Sequence, residues 1–226
     1  MREVALDTET TGLEHDNGDR IVEIACVELL NHQPTERYFH KYINPLRDIP
    51  DEVVKVHGLT REFLADKPLF GEIVDEFLEF VGDAPIVAHN AAFDVNFINA
   101  ELVRCNRPTI PWERAVDTLK IAKERFPGAR NTLDALCQRF GIDNTQRTLH
   151  GALLDTRLLA EVYLELNGGR EPGLVFAAED SGAGPLAAIV VNRPFREPRP
   201  HAASAEELAA FEAFLAQVTD PIWRRA

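Results

Sequence analysis

Four carboxylates and one imidazole, far apart along the chain, have the residue types and local spacing to gather around a charged ligand. Asp7 and Glu9 stand two apart at the end of an apolar, strand-like run, so their side chains leave the same face and can converge on one point. Alone, Asp-x-Glu is no more than a polar strand end entering a turn. The residues that follow, Thr10, Thr11, Gly12 and Leu13, add hydroxyls and a glycine that lets backbone approach a ligand closely. Asp94 comes after His89-Asn90-Ala91-Ala92-Phe93. With Asn90 as the cap of a helix, it falls in the early turns, where the helix dipole favours a negative charge by itself. Asp155 ends the stretch His150-Gly151-Ala152-Leu153-Leu154-Asp155. On a continuous helix His150 and Asp155 would point about 140° apart. They share a centre only if His150 sits on the loop before the helix, beside Thr148 and Gly151.

Acids of this kind, with one histidine and no cysteine nearby, are hard oxygen ligands suited to Mg²⁺ or Mn²⁺ rather than zinc. Packed into one crevice they repel one another, and divalent cations remove that penalty. Two such ions roughly 3.5 to 4 Å apart stabilise the attacking and leaving oxygens of a phosphoryl displacement. A histidine titrating near neutrality supplies the proton acceptor that activates a water.

These residues must be positioned by the elements between them. Residues 2–7, 20–30 and 36–43 read as strands joined by turns, an antiparallel meander. Thr60 can cap a short helix. Ile73, Val74, Phe77, Leu78 and Val81 recur at helical spacing until Gly82. Residues 85–88 read as a buried strand and 91–105 as a helix. Thr132 opens another helix, and a last one runs from Ala152 to about Asn167. The alternation predicts one α/β domain over residues 1–170. Beyond it, residues 171–185 read as a linker, and 186–226 contain a β-like run, a Pro- and Arg-rich stretch and an amphipathic helix. That helix opens on a capping box, Ser204 with Glu207, and carries a stripe of Leu208, Phe211, Leu215 and Val218. A docking segment for another protein is its expected role, and packing back on its own domain is the alternative.

Composition limits the rest. With 226 residues, 45% hydrophobic and 27% charged, the chain is neither disordered, collagen-like nor a disulfide-stapled miniprotein. Glu3, Asp7 and Glu9 stand where a signal peptide would need apolar residues, and no apolar run is long enough for a membrane span. Cys26, Cys105 and Cys137 read as buried, reduced thiols of a cytoplasmic protein. The balance of 24 basic and 37 acidic side chains gives a net charge of −13. A chain that holds a polynucleotide unaided usually carries a basic surplus, so any such substrate calls for an additional tether.

The three acidic segments resemble the motifs of the histidine-type DEDD exonucleases. The sister subclass has a tyrosine four residues before its last acid, and here that place is Gly151. The resemblance implies a ribonuclease-H-like α/β fold, a mixed five-stranded sheet flanked by helices. It further implies that Asp7, Glu9 and Asp155 hold one Mg²⁺ or Mn²⁺, that Asp7 with Asp94 holds a second, and that His150 is the general base. Thr10, Gly12, Leu13, His57 and Phe93 would hold the 3′-terminal nucleotide; apolar groups such as Leu13 and Phe93 press on base faces without reading sequence, or else pack in the core. Residues 1 to 170 are most similar to the proofreading 3′→5′ exonuclease subunits of bacterial replicative DNA polymerases, as in Val56-His57-Gly58-Leu59 and Asn131-Thr132-Leu133-Asp134-Ala135-Leu136-Cys137. Implied partners are DNA 3′ ends, the polymerase (alpha) subunit through the C-terminal segment, a small third subunit, and a sliding clamp at Glu171-Pro172-Gly173-Leu174-Val175-Phe176. In that hexapeptide Glu171 replaces a Gln, a change that weakens clamp affinity. Two other readings remain: an RNA-trimming exonuclease, and a scaffold that keeps the fold without catalysis.

Overall fold

The computed structural model describes residues 1–147, 149–169 and 202–219. The chain divides into two units, Met1–Val175 and Phe176–Ala226. Thr148, the linker with its clamp-type hexapeptide, the β-like run 187–191 and the end of the tail lie outside the described residues.

In the first unit, β1 (Arg2–Thr10), β2 (Ile21–Leu30) and β3 (Gln33–Tyr42) form the antiparallel meander, with Leu6 opposite Cys26 and Asp7 opposite Ala25. Then come α1 (Asp51–His57), α2 (Arg61–Leu64, capped by Thr60), α3 (Phe70–Val81), β4 (Ile86–Ala88), α4 (Ala91–Arg104), β5 (Ala115–Asp117), α5 (Thr118–Arg125), α6 (Leu133–Phe140, capped by Thr132) and α7 (Ala152–Leu166). The sheet order is β3-β2-β1-β4-β5, with β4 parallel to both β1 and β5. This is the mixed five-stranded, helix-flanked architecture that the ribonuclease-H-like resemblance implies.

Strand parity explains where the site lies. Val4 and Leu6 point to one face of β1 and pack with Phe70, Phe77, Ile98 and Leu102 of α3 and α4. Ala5 points to the other, where Ala160 and Tyr163 of α7 cover it. Both faces are buried, and a fully buried side chain such as Phe77 is worth roughly 1.5–3 kcal/mol. The same alternation sends Thr8 toward α4, and Asp7 and Glu9 toward α7. β1 runs three residues beyond the expected Asp7, so Glu9 belongs to the strand rather than to a turn. The helix α1, the strand β5 and the helix α5 were not expected from the sequence pattern. Cys26 and Cys137 are buried, whereas Cys105 is only half-buried; none of the three is in a disulfide.

In the second unit, α8 (Ala205–Leu215) carries the expected capping box: the Ser204 hydroxyl accepts from the Glu207 N–H (3.2 Å) and the Glu207 carboxylate accepts from the Ser204 N–H (2.8 Å). Leu208, Phe211 and Phe214 are exposed, and Leu215 is buried. Among the described residues no helix is long and apolar enough to cross a membrane.

Candidate active site

A cleft of about 590 Å³ opens at the carboxyl ends of β1 and β4 and is lined by Asp7, Glu9, Asp94, His150 and Asp155, with Phe93, His89, Arg130, Asp134 and Arg147 around them. Asp94 reaches it by a backbone device. β4 pairs with β1 only as far as Ala5, so the Thr8 N–H that points to the same side has no strand partner. The Asp94 carboxylate accepts it (3.0 Å) and also accepts the Thr8 hydroxyl (2.7 Å). Asn90 occupies the N-cap place of α4, but it does not cap with its side chain. Its backbone is left-handed (φ 70°), and its N–H donates to Asp117.

Asp155 is placed by the start of α7. Gly151 offers no capping side chain. The buried Glu23 of β2 does so instead, accepting the Ala152 N–H (3.2 Å) while its other oxygen meets His40 (2.7 Å). A carboxylate at that end satisfies an orphan donor and complements the helix dipole. His150 lies on the loop before α7, as convergence with Asp155 requires, and its N–H donates to the Val56 carbonyl at the end of α1 (3.0 Å). Ligand atoms of Glu9, His150 and Asp155 lie within 4.8 Å of one another, close enough to hold a metal ion.

The electrostatics fit a cation. Burial, followed by the charges of Asp94, Glu9 and Asp155, pushes Asp7 well above the usual carboxylate range. Burial, then Asp155, Glu23 and Asp94, raises Glu9 to about 8. Asp94 rises to about 7, chiefly through burial, against the opposing hydrogen bonds from Thr8. Buried acids that resist ionising together are stabilised by a divalent ion, so the donor set suits a hard metal.

One strong counter-charge was not anticipated. Arg147 donates Nε to Asp155 Oδ1 and Nη2 to Asp155 Oδ2, both at 2.6 Å, and Nη1 to Asp134 Oδ2 at 2.8 Å; its Nη2 also lies 2.8 Å from His150 Nδ1. The only sequence signal for it is a cation three residues before the histidine.

The five expected nucleotide contacts do not all reach the cleft. Phe93 lines it, tilted at 46° against Phe97 with ring centroids 4.8 Å apart. Thr10, Gly12, Leu13 and His57 are not among its lining residues. Thr10 is buried and donates its hydroxyl to the Gly12 carbonyl (2.6 Å). Gly12 lies against the Asp19 carboxylate, where a Cβ would overlap it. Leu13 is 80% exposed, so it does not pack in the core. His57 is buried, and its Nδ1 accepts the Leu59 N–H (3.0 Å). Among the described residues no well-formed hydrogen bond reaches its Nε2; burial lowers its pKa, with the nearby Thr10 backbone acting in the opposite direction. His89 meets the Thr118 hydroxyl (3.0 Å).

A model of the exonuclease family matches residues 4–163. The DNA polymerase III epsilon subunit of Rickettsia felis is 49% identical over 195 residues, covering 85% of each chain, and that of Escherichia coli K12 is 43% identical over 224 residues, covering 95% of this chain and 92% of the relative. Exonuclease X, solved with 5′-overhanging duplex DNA, superposes with a TM-score of 0.56 at 28% identity, over 72% of this chain and 89% of that one. The nuclease domain of 3′hExo, a DEDDh family member bound to rAMP, gives a TM-score of 0.63 at 18% identity over 74% and 92%, a likeness of fold. With its catalytic-type motifs meeting in one cleft, and with the two epsilon-subunit relatives matched over 85% and 95% of it, the chain belongs to the exonuclease family, among the DNA polymerase III epsilon subunits.

Proposed function

We propose that this protein is the proofreading 3′→5′ exonuclease of a bacterial replicative polymerase, removing mispaired nucleotides from DNA 3′ ends as nucleoside 5′-monophosphates. The observation that carries the reading is the convergence of Asp7, Glu9, Asp94 and Asp155 with His150 in one cleft. In this reading the four acids hold two Mg²⁺ or Mn²⁺ ions, which when bound neutralise the cluster and polarise the scissile phosphodiester. His150 takes the proton of the attacking water on a ring nitrogen. Phe93 presses on the terminal base, with Thr10, Gly12, Leu13 and His57 shaping the edge of the substrate path. Mismatched termini unpair at least cost, so a cleft that accepts only an unpaired end selects errors without reading sequence.

Residues 1–170 are the nuclease and 186–226 the segment that ties it to the polymerase subunit, with the exposed Leu208, Phe211 and Phe214 of α8 as an apolar docking stripe. Tethering supplies the local concentration that a net charge of −13 withholds. The test is Mn²⁺-dependent release of nucleotide from a 3′-mismatched primer, compared with a matched primer and single-stranded RNA. Faster release from the mismatch is expected. Equal or faster trimming of RNA would overturn the proofreading reading, and inactivity on every substrate would leave a scaffold.

A further inference from the structure

Arg147 has a role that the acids and the histidine do not explain. Its side chain is only 10% exposed. Both oxygens of Asp155 accept its guanidinium, in the two-pronged geometry that makes such pairs strong and directional. The same group donates Nη2 toward His150 Nδ1, a contact that an arginine can make only as donor. That Nδ1 also lies 3.4 Å from Asp155 Oδ2, beyond the much closer guanidinium nitrogen at 2.8 Å; with the guanidinium as its donor, Nδ1 is the acceptor of the neutral imidazole, and the ring proton sits on Nε2. In that arrangement neither nitrogen has a lone pair free to take a proton from water. The guanidinium also spans the ground between Asp155 and His150, two of the three groups whose ligand atoms converge.

We propose that Arg147 is a positioning residue that holds Asp155 and the His150 imidazole as one hydrogen-bonded unit, and that it must let go of both for Asp155 to bind a divalent cation and for His150 to act as a base. Asp134 is the pivot. It binds Nη1 at 2.8 Å, lies outside the Asp155–His150 pair, and is itself held by the Asn144 amide (3.0 Å). A guanidinium kept by Asp134 and released from Asp155 remains in the cleft. There its planar fork suits a phosphate oxygen pair. The inference rests on the functional reading above for the role of His150, but the contact and its release are properties of the protein alone.

The experiment is ¹⁵N NMR of the histidine rings in the full chain, metal-free and at a pH where imidazole is neutral, with His150→Gln identifying the His150 signals. The expected wild-type pattern is the Nε2–H tautomer. Saturating Mg²⁺ should move the His150 signals toward those of metal-free R147Q, and should move R147Q itself far less. Mg²⁺ should bind R147Q about tenfold more tightly, at the lower end of the coupling seen between competing ligands. R147K keeps the charge, but its ammonium gathers its donors on one atom and lacks the planar fork that grips Asp155 with two nitrogens while reaching Asp134 and His150, so its His150 signals should resemble those of R147Q. A lysine variant with the wild-type pattern would reduce Arg147 to a general counter-charge and overturn the proposal. His150 signals that ignore Mg²⁺ at saturation would overturn it too, even if R147Q failed to fold. Failure of the wild type to hydrolyse a mismatched primer would defeat the functional reading and leave these spectra as valid as before.

Discussion

Stripping divalent ions and raising the pH should unfold this protein more easily, and the size of the effect follows from Glu9. In the folded chain its carboxyl is raised from the usual 4.5 to about 8 by burial and by Asp155, Glu23 and Asp94. The folded state therefore binds a proton that the unfolded state releases, and stability falls as pH rises through that window. At about 1.4 kcal/mol per pH unit, the full swing from below 4.5 to above 8 is roughly 5 kcal/mol for this group. His57 and His89 act in the opposite sense, since burial lowers both. They gain stability as pH rises, but only up to about 6.5, the unfolded histidine value. Between pH 6.5 and 8 the acids act without that opposition, and Glu9 alone loses roughly 1.5 kcal/mol. For a domain of this size that is a fall of about 3–6 °C in Tm, with Asp7 and Asp94 adding in the same direction. The assay is thermal unfolding in EDTA across that range, repeated in millimolar Mg²⁺, which should flatten or reverse the slope. A metal-free Tm that holds steady or climbs from pH 6.5 to 8 would refute the account of the acid cluster.

Three substitutions probe the rest. His150→Ala should cut the turnover of single-stranded DNA by about 10²–10⁴ with little change in Tm, because the side chain is half exposed; steady-state kinetics beside a melting curve separates the two. Thr8→Val removes the hydroxyl donor to Asp94 but leaves the backbone one. It should cost about 1–3 kcal/mol in urea unfolding and raise the Asp94 pKa further, which a carboxylate ¹³C titration would read. Gly12→Ala should drive the Asp19 carboxylate away from Thr11, Glu14 and Arg47. The expected result is a lower Tm and a higher KM for oligonucleotides, with kcat less affected; a wild-type KM would show that this turn lies off the substrate path.

What was legible beforehand were the features written in local pattern. The β1 parity, the apolar spacing of α3, the Thr60, Thr132 and Ser204 caps and the place of His150 ahead of α7 could all be read along the chain. What escaped were short elements. β5 is three residues, all partly exposed, too few to show a period. α5 has Thr118 and Ala122 as its only buried residues. α1 follows Pro50, which supplies no capping side chain. The expected site residues divide along the same line. The acids and His150 sit on elements whose pattern was clear, whereas Thr10, Gly12, Leu13 and His57 were suggested by family likeness and do not line the cleft. Arg147, Glu23 and Thr8 were missed because they matter through partners distant in sequence.

The tie between Asp94 and Thr8, and the seating of Asp155 on α7 through Glu23, bear on how the chain is made. Synthesis proceeds from the amino terminus, and the last acid belongs to the final helix of the first unit, which packs on β1, β2 and β3. A chain still emerging from the ribosome, or one cut short before residue 155, has the first carboxylates but no cleft. Domains fold as units once their sequence is available, so the power to degrade nucleic acid appears only when the nuclease is nearly complete.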